Sequence, residues 1–459
     1  MTLDTELDVG MRPLSAMDLA ILEYQAGVPA PIAGGCVLRV EGACDLEALR
    51  AAILERVRLF PTLTDRLAYP NGPRRRPVWA SYPAFDVTEH VHEHELPDGD
   101  LDAGLRAFVE QRYRAPLRMD IPPWEVCLLR GPGADESSVF FRSSHVWADG
   151  MAALRALGML FGPVEAPDSA AQWRRDVRTT PRAVFSALSS LLAWSSPSAS
   201  LRALAQPVSG EIRMHWATTS TDRLRAIGRA YGTSVNDVFL VAFSEALAGW
   251  SEPTGRRGGP HALMPISTRR PHEFHLLGNF TTGTRVRLPA GAASPWHRVE
   301  AIRRQTSMYR RGHRSGAGER WWFEKIPPRY RQNAVRIGMS PRLVAVSTSN
   351  LGALPGPMAA GGLPIVEVLP LPVLMPEQRL SLSLGSLGPH ATVGIMTDSR
   401  VTDGAALADL WLAALDRLEQ AAGSSVPRTR EASTPVAAKP EQTTQPGPVP
   451  VTGRSAEAS

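Results

Sequence analysis

Apolar residues recur along the chain at two spacings, 3.6 and 2, and the two periods take turns in both halves. Leu46, Leu49, Ile53, Val57 and Phe60 follow Asp45 at helical spacing and stop at Pro61, which predicts a helix over 46–60. Ser15 opens a short capped helix over 15–25, and 101–113 is helical in pattern. Leu154, Leu157 and Phe161 share one face of a helix over 151–161 that Gly162 and Pro163 end. Between these lie strand-like runs at 35–40, 124–129 and 138–144. In the second half, strands are expected at 212–218, 261–265, 283–288, 343–348, 380–384 and 391–397. Helices are expected at 221–231 and 403–418, and Asn236 with Asp237 introduces an apolar helix over 238–250. Alternating strands and helices in both halves predict α/β layers.

A chain of 459 residues holds two domains of ordinary size. The pattern divides it into a first unit over 12–163, a crossover over 164–208 that is partly helical around 181–192, a second unit over 209–421, and a tail over 422–459. The tail is rich in Pro, Ser and Thr and has no apolar period, so disorder is expected there. No stretch approaches the ~20 apolar residues of a membrane helix. The N-terminus is acidic and lacks the apolar run of a secretory signal, which points to a cytoplasmic protein. Cys36, Cys44 and Cys127 form no paired motif and read as buried thiols in a reducing compartment. His90, His92 and His94 can share one strand face. No carboxylate or cysteine set completes them, so an exposed strand edge is expected rather than a metal site.

The net charge of +5 is unevenly spread: residues 298–342 carry twelve Lys or Arg against three Asp or Glu. Such a region is a candidate surface for an anionic partner. It lacks any zinc-finger or RNA-binding signature, so nucleic acid is not expected. A phosphate-bearing cofactor, an acidic protein and a plain solvated helix remain as readings, and Arg303, Arg304, Arg310 and Arg311 are the residues singled out.

His145 stands where a strand gives way to a loop and then a helix, a place where a rigid element holds a side chain beside open space. Histidine titrates near neutrality and suits a general base. Asp149 can accept N–H groups at the helix start or pair with a basic residue, and Gly150 permits a close approach. Ser144 neighbours His145, but successive strand residues point to opposite faces, so the two do not make a nucleophile–base pair. The nucleophile elbow of serine hydrolases is also absent around it.

The stretch Ser144-His145-Val146-Trp147-Ala148-Asp149-Gly150 resembles the H-H-x-x-x-D-G motif of the coenzyme A-dependent acyltransferase superfamily, to which chloramphenicol acetyltransferase and peptide-synthetase condensation domains belong. Further matches fall in order along the chain. Pro13-Leu14-Ser15-Ala16-Met17-Asp18 resembles the P-L-S-x-x-D opening of bacterial wax ester synthase/diacylglycerol acyltransferases, and Pro123-Trp124-Glu125 their P-L-W-E segment. Asn236-Asp237, Pro265-Ile266-Ser267 with Arg269, Leu277-Gly278-Asn279 and the segment from Val346 to Asn350 resemble their N-D, P-V-S-x-R, L-G-N and V-x-S-N elements.

The resemblance implies two pseudo-symmetric chloramphenicol acetyltransferase-like lobes with an active-site tunnel between them. It implies acyl transfer from an acyl-CoA or carrier-protein thioester to a hydroxyl acceptor, with His145 as the base and no acyl-enzyme. Asp149 would be structural, held by an arginine such as Arg269, and Asn236 and Asn279 would shape the interior. No permanently bound cofactor and no metal are implied; the thioester is a co-substrate, and an acidic carrier protein and peripheral membrane contact fit the family. Ser144 departs from the motif's first histidine, and Leu351-Gly352-Ala353-Leu354-Pro355-Gly356 departs from its proline-rich stretch. These departures point to a diverged acceptor. The alternatives are transfer to an amine or a carrier-linked natural-product intermediate, or a binding protein with a degenerate site.

Overall fold

Capping residues fix where the helices begin. Ser15 and Asp18 form a reciprocal capping box, Asp45 accepts the Ala48 N–H, and Asp100 accepts the Ala103 N–H. The computed structural model describes residues 11–28, 31–70, 72, 76–133, 135–163, 181, 194, 196–254, 259–270, 273–274, 276–289, 294–310 and 317–424. Its strands are β1 (Met11–Pro13), β2 (Ala33–Glu41), β3 (Asp65–Ala68), β4 (Val78–Ser81), β5 (Val91–Glu95), β6 (Trp124–Arg130), β7 (Glu136–Ser144), β8 (Ser200–Leu201), β9 (Ile212–Ser220), β10 (Pro253–Thr254), β11 (His261–Ser267), β12 (Thr281–Arg287), β13 (Val346–Ala353), β14 (Ala359–Ala360), β15 (Leu363–Leu371), β16 (Leu380–Leu387) and β17 (His390–Asp398). Its helices are α1 (Ala16–Gln25), α2 (Leu46–Leu59), α3 (Leu101–Tyr113), α4 (Gly150–Phe161), α5 (Thr221–Ala230), α6 (Val235–Trp250), α7 (Pro295–Arg310), α8 (Ala317–Lys325), α9 (Pro328–Gly338) and α10 (Ala406–Ser424).

Two six-stranded sheets dominate the α/β fold, one ordered β14-β15-β2-β7-β6-β5 and the other β12-β11-β13-β16-β17-β9. Four strands of each repeat one plan. β2-β7-β6-β5 and β9-β17-β16-β13 each run antiparallel, antiparallel, then parallel. In each set the first strand leads into a helix (α2 or α5), and the strand paired with it leads into another (α4 or α10).

One stretch of the second unit joins the first sheet. β15 pairs antiparallel with β2, setting Leu369 opposite Val37 and Pro370 opposite Cys36. Pro364 and Pro370 hid this strand from the sequence reading, because proline cannot complete a ladder and usually marks a turn or an edge. The crossing ties the sheets together. The Trp216 indole N–H donates to the Pro370 carbonyl at 3.0 Å. A Cβ on Gly394 would lie 2.1 Å from that same oxygen, so β17 needs glycine where β15 passes. Val37, Phe140, Met214, Leu369 and Met396 form a buried cluster drawn from both sheets.

Helix α6 is buried nearly all round and forms the centre of the second core. It starts earlier than the sequence reading placed it: Ser234 is the cap and Asp237 its capping-box partner, so Asn236 lies inside the first turn. The described end of the crossover packs with the second core through Leu201 and Leu204, while β8 pairs with β10 in a separate two-stranded sheet and the Ser198 N–H donates to the Arg342 carbonyl. Residues 182–192 of the helix expected around 181–192 and residues 425–459 of the tail lie outside the described residues, while α10 runs to Ser424. Among the described residues no helix is long and apolar enough to cross a membrane.

Candidate active site

Strand β7 sits centrally in the first sheet and is braced from beneath. Arg142 is fully buried and pairs at 2.8 Å with Glu125, its register partner on β6. Its guanidinium also donates to the carbonyls of Arg112 (2.6 Å) and Tyr113 (2.9 Å) at the end of α3. A cation there satisfies carbonyls that the helix cannot pair itself. Breaking a buried pair of this kind by removing one partner typically costs about 3–5 kcal/mol.

At the end of this strand the His145 N–H donates to the Ile32 carbonyl at 2.8 Å. The Ser144 hydroxyl accepts the Val146 N–H at 3.2 Å, so it is occupied within the loop. Asp149 caps α4 by accepting the Ala152 N–H at 2.9 Å. Its second oxygen accepts from Arg269 at 2.7 Å and from the Phe280 N–H at 2.9 Å, in an ion pair buried on both sides. Arg269 also donates to the Gly278 carbonyl at 2.9 Å. The Asn279 amide donates to the carbonyls of His145 (2.7 Å) and Val146 (3.1 Å) and to Asp18 (2.8 Å). The loop carrying His145 is thus held by residues more than a hundred positions away in sequence. In a buried setting each such group needs its partners.

His145 faces a cavity of about 840 Å³ lined from both sheets and from α1, α4 and α9. Its Nδ1 is buried and makes no hydrogen bond among the described residues. Ser143, Asp149 and Gly150 also line the cavity, whereas Ser144 does not, as the alternation of strand side chains requires. A Cβ on Gly150 would lie 3.2 Å from Leu351 and 3.7 Å from the Ser349 hydroxyl, so glycine lets β13 approach the start of α4.

Other singled-out residues lie elsewhere. Asn236 does not line the cavity; its amide meets the Met264 sulfur at 3.5 Å. Arg303 and Arg304 are exposed on α7, also away from the cavity lining, and both pair with Glu300 on their own helix. The side chain of Arg310 and all of Arg311 lie outside the described residues. From the same basic segment, Arg320 does reach the cavity. It pairs with buried Glu273 at 2.7 Å and stands 5.1 Å from the Phe280 ring, which Arg269 approaches at 5.0 Å. Burial opposes ionisation of Glu273, but hydrogen bonds from Arg320 and the Arg270 backbone outweigh it and hold its carboxyl below the ordinary range.

His90 is a core residue, stacked 4.8 Å from Phe85 with its ring nitrogen on the Trp124 carbonyl, and burial lowers its pKa. Among the described residues no group of three or more His, Cys, Asp or Glu could hold a metal ion. The three cysteines are free and buried, and burial pushes the cavity-lining Cys36 thiol up. Sequence reasoning gave no role to Asp18, Arg320 or Glu273. Asp18 stood inside a quoted motif and Arg320 inside the basic segment 298–342, while Glu273 carried no local signal.

The wax ester synthase/diacylglycerol acyltransferase catalytic domain matches residues 33–181, and the C-terminal domain of the same enzymes matches residues 277–419. A Mycobacterium tuberculosis (strain ATCC 25618 / H37Rv) protein described as "Probable diacyglycerol O-acyltransferase tgs1" is 22% identical over 426 residues, 84% of this chain and 91% of the relative. Another relative from that strain is 26% identical over 257 residues, so the chain spans about half of it, 54%. Among solved structures, the wax ester synthase/diacylglycerol acyltransferase from Marinobacter aquaeolei VT8 is similar at 20% identity and a TM-score of 0.60, over 90% of this chain and 100% of that one. The first condensation domain of the calcium-dependent antibiotic synthetase is similar at 14% identity and a TM-score of 0.65, over 91% and 98%. Such structural likenesses establish a condensation-domain-like α/β fold; the two domain matches reach further. The chain belongs to the wax ester synthase/diacylglycerol acyltransferase family, a family of acyl-CoA-dependent O-acyltransferases.

Proposed function

We propose that this protein transfers an acyl group directly from an acyl-CoA thioester to a hydroxyl acceptor, with His145 as general base. The observation that carries the reading is His145 itself. It faces a cavity lined from both sheets, with one ring nitrogen buried and its carbonyl clamped by Asn279. Nε2 takes the acceptor proton while the oxygen attacks the thioester carbonyl. The tetrahedral intermediate then expels the thiolate, which recovers the proton from the imidazolium, so no acyl-enzyme forms. Asp149 and Arg269 act by fixing the loop, and Asn279 by holding the His145 backbone. The Ser144 hydroxyl supports the turn, and Gly150 admits β13.

The repeated strand plan supports two pseudo-symmetric lobes, 12–163 and 209–421, with β14 and β15 of the second carried into the first sheet, and a tunnel between them. Arg320 at the cavity and Lys325, Arg329 and Arg336 on α8 and α9 favour an anionic donor, either coenzyme A or an acidic carrier protein. Met151, Trp322 and Ile337 line the cavity yet are 42%, 41% and 62% exposed, which supports peripheral contact with an apolar surface where lipid enters. The test is H145A with circular dichroism beside turnover. We expect an unchanged spectrum and a fall of about 10²–10⁴-fold in kcat. Turnover like that of the unaltered protein would remove His145 from the mechanism.

A further inference from the structure

The cavity wall supplied by the second sheet is polar where the rest is largely apolar. On adjacent strands β13 and β16, Ser347 pairs in register with Ser381, and Ser349 with Ser383. Residues two apart share a strand face, and all four line the cavity. They therefore form a rectangle of hydroxyls, with Cα positions roughly 4.8 Å apart across the strands and roughly 6.6 Å apart along them. Ser349 stands at the His145 end, its hydroxyl 3.7 Å from where a Gly150 Cβ would be.

Three polar groups here lack partners. Ser381 and Ser383 are 3% and 4% exposed, and neither hydroxyl makes a hydrogen bond among the described residues. Behind them Gln378, 2% exposed, accepts the Ser347 hydroxyl through its carbonyl oxygen, while its amide nitrogen is buried and unpaired. Gln378 Nε2 is a buried polar atom without a partner, and the serines beside it line the cavity, so this wall offers hydrogen-bonding groups to whatever fills it. Ordered water can serve while the cavity is empty. A bare alkyl chain would expel that water and return nothing.

We infer that Ser347, Ser349, Ser381 and Ser383, backed by Gln378, form an acceptor subsite for a polyhydroxylated head group, one that gives and takes hydrogen bonds beside the reacting hydroxyl. This rests on the acyl-transfer reading above and narrows it: a vicinal diol is preferred over a plain long-chain alcohol of equal length. Sites built to bond a hydroxyl reject analogues that lack it far more strongly than apolar pockets discriminate by size.

The test compares 1-monooctanoylglycerol with 1-octanol as acceptors for an acyl-CoA donor, using the unaltered protein and S381A/S383A. The unaltered protein should favour the diol by at least about tenfold in kcat/KM, and S381A/S383A should lose that preference. Each single alanine variant should lose part of it, which covers a double variant that folds poorly. Equal use of the two acceptors, or a preference that survives in S381A/S383A, would overturn the assignment. So would a raised donor KM with an intact acceptor preference, since the serines would then be holding the thioester arm. If neither acceptor is acylated, the acyl-transfer reading has failed. The subsite is still decided by calorimetric titration of H145A with the two compounds, where the same preference is expected and its absence overturns the proposal.

Discussion

The two sheets end in loops that look alike in sequence and behave differently. After β7 the chain reads His145-Val146-Trp147-Ala148-Asp149-Gly150, and after β17 it reads Ser399-Arg400-Val401-Thr402-Asp403-Gly404; each leads into a helix. Asp149 is extended, buried, paired with Arg269 and caps α4 through its side chain. Asp403 has a φ of 54°, and its exposed side chain makes no hydrogen bond among the described residues. Only its carbonyl works, accepting the Trp250 indole N–H at 3.0 Å and the Ala406 N–H at 3.1 Å. His145 faces a cavity, whereas Ser399, at the same distance before its Asp-Gly pair, meets the Ser209 hydroxyl at 2.9 Å. An Asp-Gly pair after a strand is therefore a turn signal. What turns one copy into a site is the set of groups that reach its loop from elsewhere: Arg269, the Phe280 N–H and Asn279, the last held in turn by Asp18.

The sharpest way to break this comparison is to remove the same charge from both loops. D149N leaves Arg269 buried without its carboxylate, a change that typically costs about 3–5 kcal/mol. D403N alters an exposed group at a residue type that tolerates a left-handed backbone, and should stay within about 0.5 kcal/mol. Denaturant melts of the two variants measure the gap. D149N should also be slow, with its pH optimum unmoved because His145 still supplies the base. Equal melting of the two variants would show that the buried pair does not anchor the loop.

A smaller effect should follow from N279A, which frees the His145 and Val146 carbonyls. Loss of positioning should lower kcat by roughly ten- to a hundredfold with donor KM little changed. R400A in the counterpart loop should leave both constants as they were. Steady-state kinetics of the pair decide whether the clamp acts on chemistry or on the fold alone.

Local physics made most of the first half legible. Asp45, Pro61 and the spacing from Leu46 to Phe60 bounded α2 within a residue, and the run ending at Ser144 located β7 and hence His145. Asp149 and Arg269 were paired on family resemblance, and the structure brings them together at 2.7 Å. What stayed hidden depends on distant partners. β15 carries two prolines and is a strand because β2 offers an edge to it. Ser381 and Ser383 read as ordinary strand residues until register places them beside Ser347 and Ser349. The true cap of α6, Ser234, was missed because Asn236 and Asp237 offered equally good capping chemistry two residues on.

The smallest expected effect concerns the basic segment, where the sequence and the structure select different arginines. Charge density alone singled out Arg303 and Arg304. Both are exposed, at 45% and 76%, and both already pair with Glu300 on the same helix. Exposed pairs of this kind contribute little and are screened by salt. Arg320 is 15% exposed, lines the cavity, and is held in place by Glu273. A guanidinium fixed at a cavity wall can orient an anionic donor through charge-assisted hydrogen bonds, whereas a mobile surface one adds only diffuse attraction. R303S/R304S should therefore leave the donor KM within about twofold at low salt. R320S should raise it several-fold and leave the acceptor KM unchanged, with E273Q giving a weaker shift in the same direction because Arg320 loses its anchor. Measuring donor KM at two salt concentrations separates these cases. A strong, salt-dependent rise in R303S/R304S with R320S unaffected would return the donor surface to α7, and would show that the outer face of the second half does more than its exposed ion pairs imply.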